Sequence, residues 1–224
     1  MYEDAKTWNP YVGCLHKCVY CVPSFQRLLK RSRCEYCRTF TPHYHPERLA
    51  KIPNAKIVFV SGFGDIAFCP FSFLEQIIER VNLEDERNPK KLYYFQSKDP
   101  IIFRFILQDL PSSVILLTTL ETNRDEDYER FSRAPYPSKR YMNFLKLDYP
   151  RKVVTIEPIM DFDLGIFRDW VLNIEPEYVW IGYNSRSKHV RLPEPPLEKT
   201  LELIAQLEEN GVKVKRKLIR SPTH

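Results

Sequence analysis

Glycine is scarce in this chain: its 224 residues include 6 glycines against 18 prolines. Neither G-x-G-x-x-G nor G-x-x-x-x-G-K occurs, which removes the standard dinucleotide and phosphate-loop fingerprints. Long apolar runs are missing as well. The longest, such as Ile57–Val60 and Val114–Leu117, fall far short of the roughly 18–20 residues a membrane span needs, so no membrane partner is expected. The opening MYEDAKTWNP has neither the basic nor the apolar segment of a secretory leader, and the expected location is the cytoplasm. Charge of one sign does not dominate either. Lys and Arg number 34 and Asp and Glu 29, a formal charge of +5 with no run of five like charges. That balance permits an anionic partner without demanding one, and it excludes a basic tail.

What is present is a regular alternation of short apolar runs and longer amphipathic stretches. Strands are expected at Lys56–Ser61, Lys91–Gln96, Val114–Thr119, Lys152–Ile156, Tyr178–Gly182 and Val212–Leu218. All but the last are apolar on both faces, as buried parallel strands are. Between them, FSFLEQIIERV after Pro70 places Phe73, Leu74, Ile77, Ile78 and Val81 on one helical stripe. Asp99-Pro100 reads as a helix cap and first turn opening IIFRFILQDL. Further helices are expected at Ser138–Leu147, Asp163–Ile174 and Pro196–Asn210, the last with Leu197, Leu201, Ile204 and Leu207 inward and Gly211 as its stop. This pattern predicts an α/β fold with a parallel sheet, organised as a single domain over 1–224 with a Cys-rich insertion at about 22–45. Chemistry in such sheets sits where the strands end.

Five of the six cysteines crowd into residues 14–37, which in an intracellular chain reads as metal binding rather than a disulfide framework. Cys14, Cys18 and Cys21 form C-x3-C-x2-C. Three thiolates on one short loop suit three irons of a 4Fe–4S cluster. The fourth iron stays open to a small ligand offering an amine and a carboxylate, and S-adenosylmethionine offers both. Tyr20, just before the third cysteine, is placed to lie against its adenine.

The C-x3-C-x-aromatic-C loop is the signature of the radical S-adenosylmethionine superfamily. With TWNPYVGC, HPERL, SGFGD, SKDP, LETN, IEPIMDFD and WIGYNS following in order, the whole chain resembles the phage-associated three-Cys-motif family of that superfamily. The resemblance implies a partial (β/α)6 barrel with the cluster at its mouth. It implies a methionine-amine site near Ser61 and Gly62, a ribose site at Glu121 and Asn123, and Glu157 and Asn184 lining the same mouth. Asp65, Lys98 and Lys217 are implied for cofactor or substrate. SGFGD stands where the superfamily carries two glycines and an acid. The implied activity is reductive cleavage of S-adenosylmethionine to a 5′-deoxyadenosyl radical that abstracts hydrogen from a substrate. The partners are a one-electron donor of ferredoxin or flavodoxin type and a substrate for which a nucleotide or nucleic acid is preferred.

Cys34-Glu-Tyr-Cys37 is a second knuckle. Cys34, Cys37 and His43 suit zinc. His45 falls in HPERL, which the resembling family has without the cysteine pair, so His43 is the preferred imidazole. Cys34, Cys37 and Cys69 holding a second iron–sulfur cluster, or a pair that binds no metal, stand beside that reading. The competing function is a non-enzymatic, zinc-stabilised nucleic-acid-binding module using both cysteine groups.

Overall fold

The computed structural model describes residues 5–222; the remaining ends of the expected 1–224 domain lie outside the described residues. Its strands are β1 (Ala5–Trp8), β2 (Tyr11–Val12), β3 (His43–Tyr44), β4 (Ile57–Val60), β5 (Leu92–Gln96), β6 (Val114–Thr119), β7 (Lys152–Ile156), β8 (Tyr178–Ile181) and β9 (Val214–Arg216). The helices are α1 (Arg27–Leu29), α2 (Glu35–Thr39), α3 (Phe71–Arg87), α4 (Pro137–Leu145), α5 (Leu164–Ile174) and α6 (Leu197–Glu209). Seven strands form one sheet in the order β1-β4-β5-β6-β7-β8-β9, every neighbouring pair parallel, and the sheet curls into a half-barrel. β2 and β3 pair separately as a small antiparallel ladder.

Alternation along the strands builds two apolar layers. Val58 and Val60, Tyr93 and Phe95, Val114 and Leu116, Val154 and Ile156, and Val179 and Ile181 face the helices. Phe59, Tyr94, Ile115, Leu117, Val153, Tyr178 and Trp180 fill the concave side. Both faces are therefore buried, which is why these strands read as continuous apolar runs.

The six expected strands form within a residue or two of their expected bounds. β1 is an addition: only Trp8 of AKTW is buried, so this edge strand carries no apolar pattern to read. The expected helix after Asp99 is instead two 3-10 segments, Pro100–Phe105 and Leu107–Asp109, and Asp99 makes no capping bond. Ile, Phe and a second Ile in quick succession are poor helix formers, and the three-residue repeat turns both Phe103 and Ile106 into the core. On α3 all five expected residues are buried. On α6, Leu203 takes the inward place expected for Leu201, which is 41% exposed. Gly211 follows with φ of +82°, the left-handed stop expected there. Among the described residues no helix is long and apolar enough to cross a membrane.

Candidate active site

The carboxyl ends of the strands open on a cavity of about 360 Å³. Cys14, Cys18 and Cys21 all line it, together with Tyr20, Gly62, Gly64, Asp65, Lys98, Glu157 and Asn184. One cavity thus gathers the first cysteine loop and the ends of six strands, β4 to β9.

The loop is docked by backbone contacts on three sides. Gly13 N–H donates to Phe63 O (3.0 Å) and Asp65 N–H to Gly13 O (3.2 Å), so the loop runs directly against the turn after β4. Gly13 has φ of +98°, and a Cβ there would stand 2.4 Å from Thr41 O; a Cβ on Gly64 would stand 2.8 Å from Gly13 O. Only glycine permits this approach at either position. On the far side Val19 N–H donates to Phe131 O (2.9 Å) and Arg133 N–H to His16 O (2.6 Å). Behind the loop, Cys14 N–H reaches Phe40 O (3.4 Å). The TWNP, HPERL and SGFGD segments join in the same cradle. Trp8 Nε1–H donates to Arg48 O (2.8 Å), Arg48 Nη1–H to Asn9 O (2.9 Å) and Phe63 N–H to Asn9 Oδ1 (3.0 Å).

Two buried carboxylates fasten the loop by side chains. Asp65 accepts from Ser97 Oγ (2.6 Å), Lys98 N–H (2.8 Å) and Ala67 N–H (3.0 Å), and it pairs with His16 Nε2 (3.1 Å). Burial opposes its ionisation, but His16, Ser97 and the Lys98 amide outweigh burial and hold the carboxyl below its ordinary range. Glu121 is fully buried and accepts from Tyr20 Oη, Lys98 Nζ, Arg140 Nη2 (2.7 Å) and Tyr128 Oη (3.2 Å). Burial again opposes ionisation; Arg140 and Lys98, with the Lys98 and Tyr20 hydrogen bonds, more than reverse it. Lys98 also stands over the Tyr20 ring, 4.6 Å from its centroid.

The three thiols differ in environment. Cys18 has hydrogen bonds with the Cys21 thiol and with Ser132 Oγ (3.1 Å), and these partners with Lys98 push its thiol well below the ordinary value despite burial. Cys14 accepts from His16 N–H at 3.4 Å, while burial and Asp65 push its thiol up. Backbone and hydroxyl donors on cysteine sulfur are what a thiolate-bound iron–sulfur cluster uses. The donor set fits: three sulfurs, one loop, one side open to the cavity.

Three expected cofactor residues do not reach the cavity. Glu121 stands behind Tyr20 and Lys98, and Ser61, 2% exposed, is buried behind the lining. Asn123 binds the loop before α5, accepting from Asp163 N–H (2.9 Å) and donating to its carbonyl (3.2 Å). A common ribose site for Glu121 and Asn123 needs both on one face, through a two-residue period. That period holds only in an extended strand, and β6 ends at Thr119. Asn184 lines the cavity with both ends of its amide bound to its own loop, at Val190 O (2.8 Å) and Arg186 N–H (2.9 Å). Glu157 is ion-paired with Lys217, and both line the wall.

Sequence reasoning missed the cavity floor and its buried arginine. Gln96, Thr119 and Thr155 continue the inward faces of β5, β6 and β7, joined by Gln96 Nε2 to Thr119 Oγ1 (2.8 Å) and Thr155 Oγ1 to Thr119 Oγ1 (2.9 Å). Their signal is the two-residue period carried one step past the apolar residues. Arg140, fully buried on α4, shares the inward face with Tyr141 and Phe144 and has no such signal.

Cys34, Cys37 and His43 come together outside the cavity lining, and His45 joins them. Cys69 does not. It is packed in the main core, and burial pushes its thiol up to about 12. All six cysteines are free thiols.

The curled parallel half-barrel is a fold that this chain shares with solved structures of low sequence identity. The chain superposes on spore photoproduct lyase in complex with dinucleoside spore photoproduct with a TM-score of 0.65 and 13% identity, over 94% of this chain and 76% of that one. It matches SuiB of Streptococcus suis bound to the precursor peptide SuiA with a TM-score of 0.61 and 8% identity, over 95% of this chain and 48% of the other. TYW1 with a lysine-pyruvate adduct gives 0.55 and 12%, over 92% and 74%. No protein-family model and no curated protein matches the chain.

Proposed function

We propose that this protein is a radical S-adenosylmethionine enzyme holding a 4Fe–4S cluster on Cys14, Cys18 and Cys21. The observation that carries the reading is that all three thiols of one loop line one cavity at the carboxyl rim of a curled parallel sheet. A zinc-stabilised binding module needs neither the barrel nor an open side to its cysteines. When bound, the cluster and S-adenosylmethionine supply one-electron cleavage of the sulfonium and a 5′-deoxyadenosyl radical for hydrogen abstraction.

The chain's own residues supply position and enclosure. Tyr20 presents its ring to the cavity with its hydroxyl tied back to Glu121, so the ring cannot swing. Gly62 and Gly64 offer backbone on the cluster side. Gln96, Thr119 and Thr155 offer an amide and hydroxyls on the floor, and Asn184 with the Glu157–Lys217 pair lines the wall. An amine and a carboxylate on one ligand, with a ribose between them and the adenine, match this mixture of polar groups. Lys17 and Arg186 place cationic groups at the same cavity, which supports a phosphate-bearing substrate, a nucleotide or nucleic acid. Reducing power comes from a one-electron donor of ferredoxin or flavodoxin type.

Anaerobic reconstitution with iron and sulfide, then incubation with S-adenosylmethionine and dithionite, is expected to release 5′-deoxyadenosine. The variant with Cys14, Cys18 and Cys21 all changed to Ala is expected to lose both the cluster absorbance and the product. Retention of the cluster's full iron in that variant would remove the assignment.

A further inference from the structure

Behind the cysteine loop, and apart from the cavity, four metal-binding side chains converge. Cys34, Cys37, His43 and His45 each offer one ligand atom, and these four atoms lie within 4.8 Å of one another. Cys34 precedes the first turn of α2 and Cys37 lies within it. Phe40 then adopts φ of +57° and turns the chain back, and His43 and His45, two apart around the extended β3, face the same way.

The hydrogen bonds fix which nitrogens face inward. His43 Nδ1 lies 2.7 Å from Thr41 O, a carbonyl that can only accept, so Nδ1 carries the proton. His45 Nδ1 lies 2.8 Å from Glu47 Oε1, a carboxylate oxygen, and carries its proton likewise. With Nδ1 so engaged, each ring turns its Nε2 inward, and the two Nε2 atoms stand 2.8 Å apart. The sulfurs close around them: Cys34 Sγ and Cys37 Sγ lie 3.4 and 3.3 Å from His43 Nε2, and Cys37 Sγ lies 3.3 Å from His45 Nε2. A proton between the two Nε2 atoms would join those two alone, whereas one metal ion takes both nitrogens and both sulfurs at once. Bonds of about 2.3 Å to sulfur and about 2.0–2.1 Å to nitrogen at tetrahedral angles set sulfur and nitrogen donors about 3.5 Å apart and two nitrogens about 3.3 Å apart; the sulfur–nitrogen spacings found lie close to this, and the two Nε2 atoms stand about 0.5 Å nearer. A carbonyl on one Nδ1–H and a carboxylate on the other are the outer partners that orient zinc-bound imidazoles.

We propose that Cys34, Cys37, His43 and His45 form a closed, structural Cys2His2 zinc site. A Rieske-type [2Fe–2S] centre also uses two cysteines and two histidines but divides them between two irons; here Cys37 Sγ lies 3.3 Å from both imidazole Nε2 atoms, an arrangement around one point that fits a single ion, and the remaining thiol, Cys69, is buried in the core. With four protein ligands no position is left for substrate, so the ion is structural. Its place shows what it supports. β3 pairs with β2, setting Val12 opposite His43 and Tyr11 opposite Tyr44; His45 N–H donates to Pro10 O (2.6 Å), and Cys14 N–H meets Phe40 O. The ion therefore fastens the wall against which the first thiol of the active-site loop rests. The assignment is independent of the reaction catalysed in the cavity.

The test uses the full chain carrying Cys14→Ala, Cys18→Ala and Cys21→Ala, in which the active-site loop cannot bind metal. Elemental analysis is expected to find about one zinc per chain, and exchange with Co(II) to give the intense d–d absorption of a tetrahedral ion with a thiolate charge-transfer band. In the chain that keeps Cys14, Cys18 and Cys21, His45→Ala is expected to remove one equivalent of zinc relative to wild type, so the result does not depend on the triple variant folding. His45→Ala is expected to abolish stoichiometric zinc. Glu47→Gln, at an exposed carboxylate, is expected to keep one zinc while weakening affinity about 10–100-fold. Zinc-free folded protein, iron in place of zinc, an octahedral Co(II) spectrum, or His45→Ala protein binding zinc as tightly as its parent would each overturn the site.

Discussion

Glu121 shows how much a single buried group can carry. Its side chain has no exposure, and it faces Arg140, also fully buried, and Lys98. Removing one partner of such a group leaves charge stranded out of water, at a cost of about 3–5 kcal/mol. Glu121→Ala is therefore expected to lower unfolding free energy by that amount, read by chemical denaturation, and to loosen Tyr20 and the cysteine loop with it. A ribose contact would have weakened cofactor binding and left stability alone. Glu157 is the better residue for that test, because it lines the cavity. Glu157→Ala is expected to weaken S-adenosylmethionine binding on cluster-replete protein by roughly ten- to a hundredfold, the equivalent of one charged hydrogen bond. Calorimetric titration checks it, and unchanged affinity would take Glu157 off the cofactor's list of contacts.

At the scale of elements, the active-site loop owes its position to close backbone approaches rather than to its own conformation. Gly13 and Gly64 form an isolated parallel bridge beyond the carboxyl ends of β1 and β4, which ties the loop to the turn after β4. A methyl group on Gly64 would stand 2.8 Å from Gly13 O, and backbone cannot yield as a flexible side chain does. Gly64→Ala is expected to move the loop and lower bound iron per chain, while the circular dichroism of the barrel stays as it was. Iron analysis beside the spectrum checks this. Full iron retention would show that the loop tolerates displacement from the β4 turn.

Across the whole molecule, the same buried carboxylates make stability depend on pH. Asp65 and Glu121 both ionise more readily in the folded chain than in the unfolded one. Their contribution is complete above the unfolded carboxylate range of about 4 and is lost as pH falls towards the lower folded values. The urea midpoint is expected to fall steeply between about pH 5 and pH 3, and the Glu121→Ala variant to show a shallower decline. Equal slopes in variant and parent would mean that Glu121 is not one of the groups that titrate.

What could be read from the amino-acid order is what depends on near neighbours along the chain. Strand bounds follow from runs of β-branched and aromatic residues, the α3 stripe from a 3.6-residue period, and the cysteine loop from spacings of three and two. Residues separated by one or two turns, such as Cys34 and Cys37, declare themselves in the same way. Only the folded chain decides which polar residue after a strand turns into the cavity, since that depends on partners far away in sequence. Tyr20 and Glu121 meet across 101 positions, Cys18 and Ser132 across 114. Asn123 turned to the backbone of Asp163, as a polar amide takes the partners the topology brings, and Arg140 came in from α4 because a buried charge must find its counter-charge. His45 joined Cys37 for a related reason: a tight turn at Phe40 brought two segments together whose facing donors nothing in either one specifies alone.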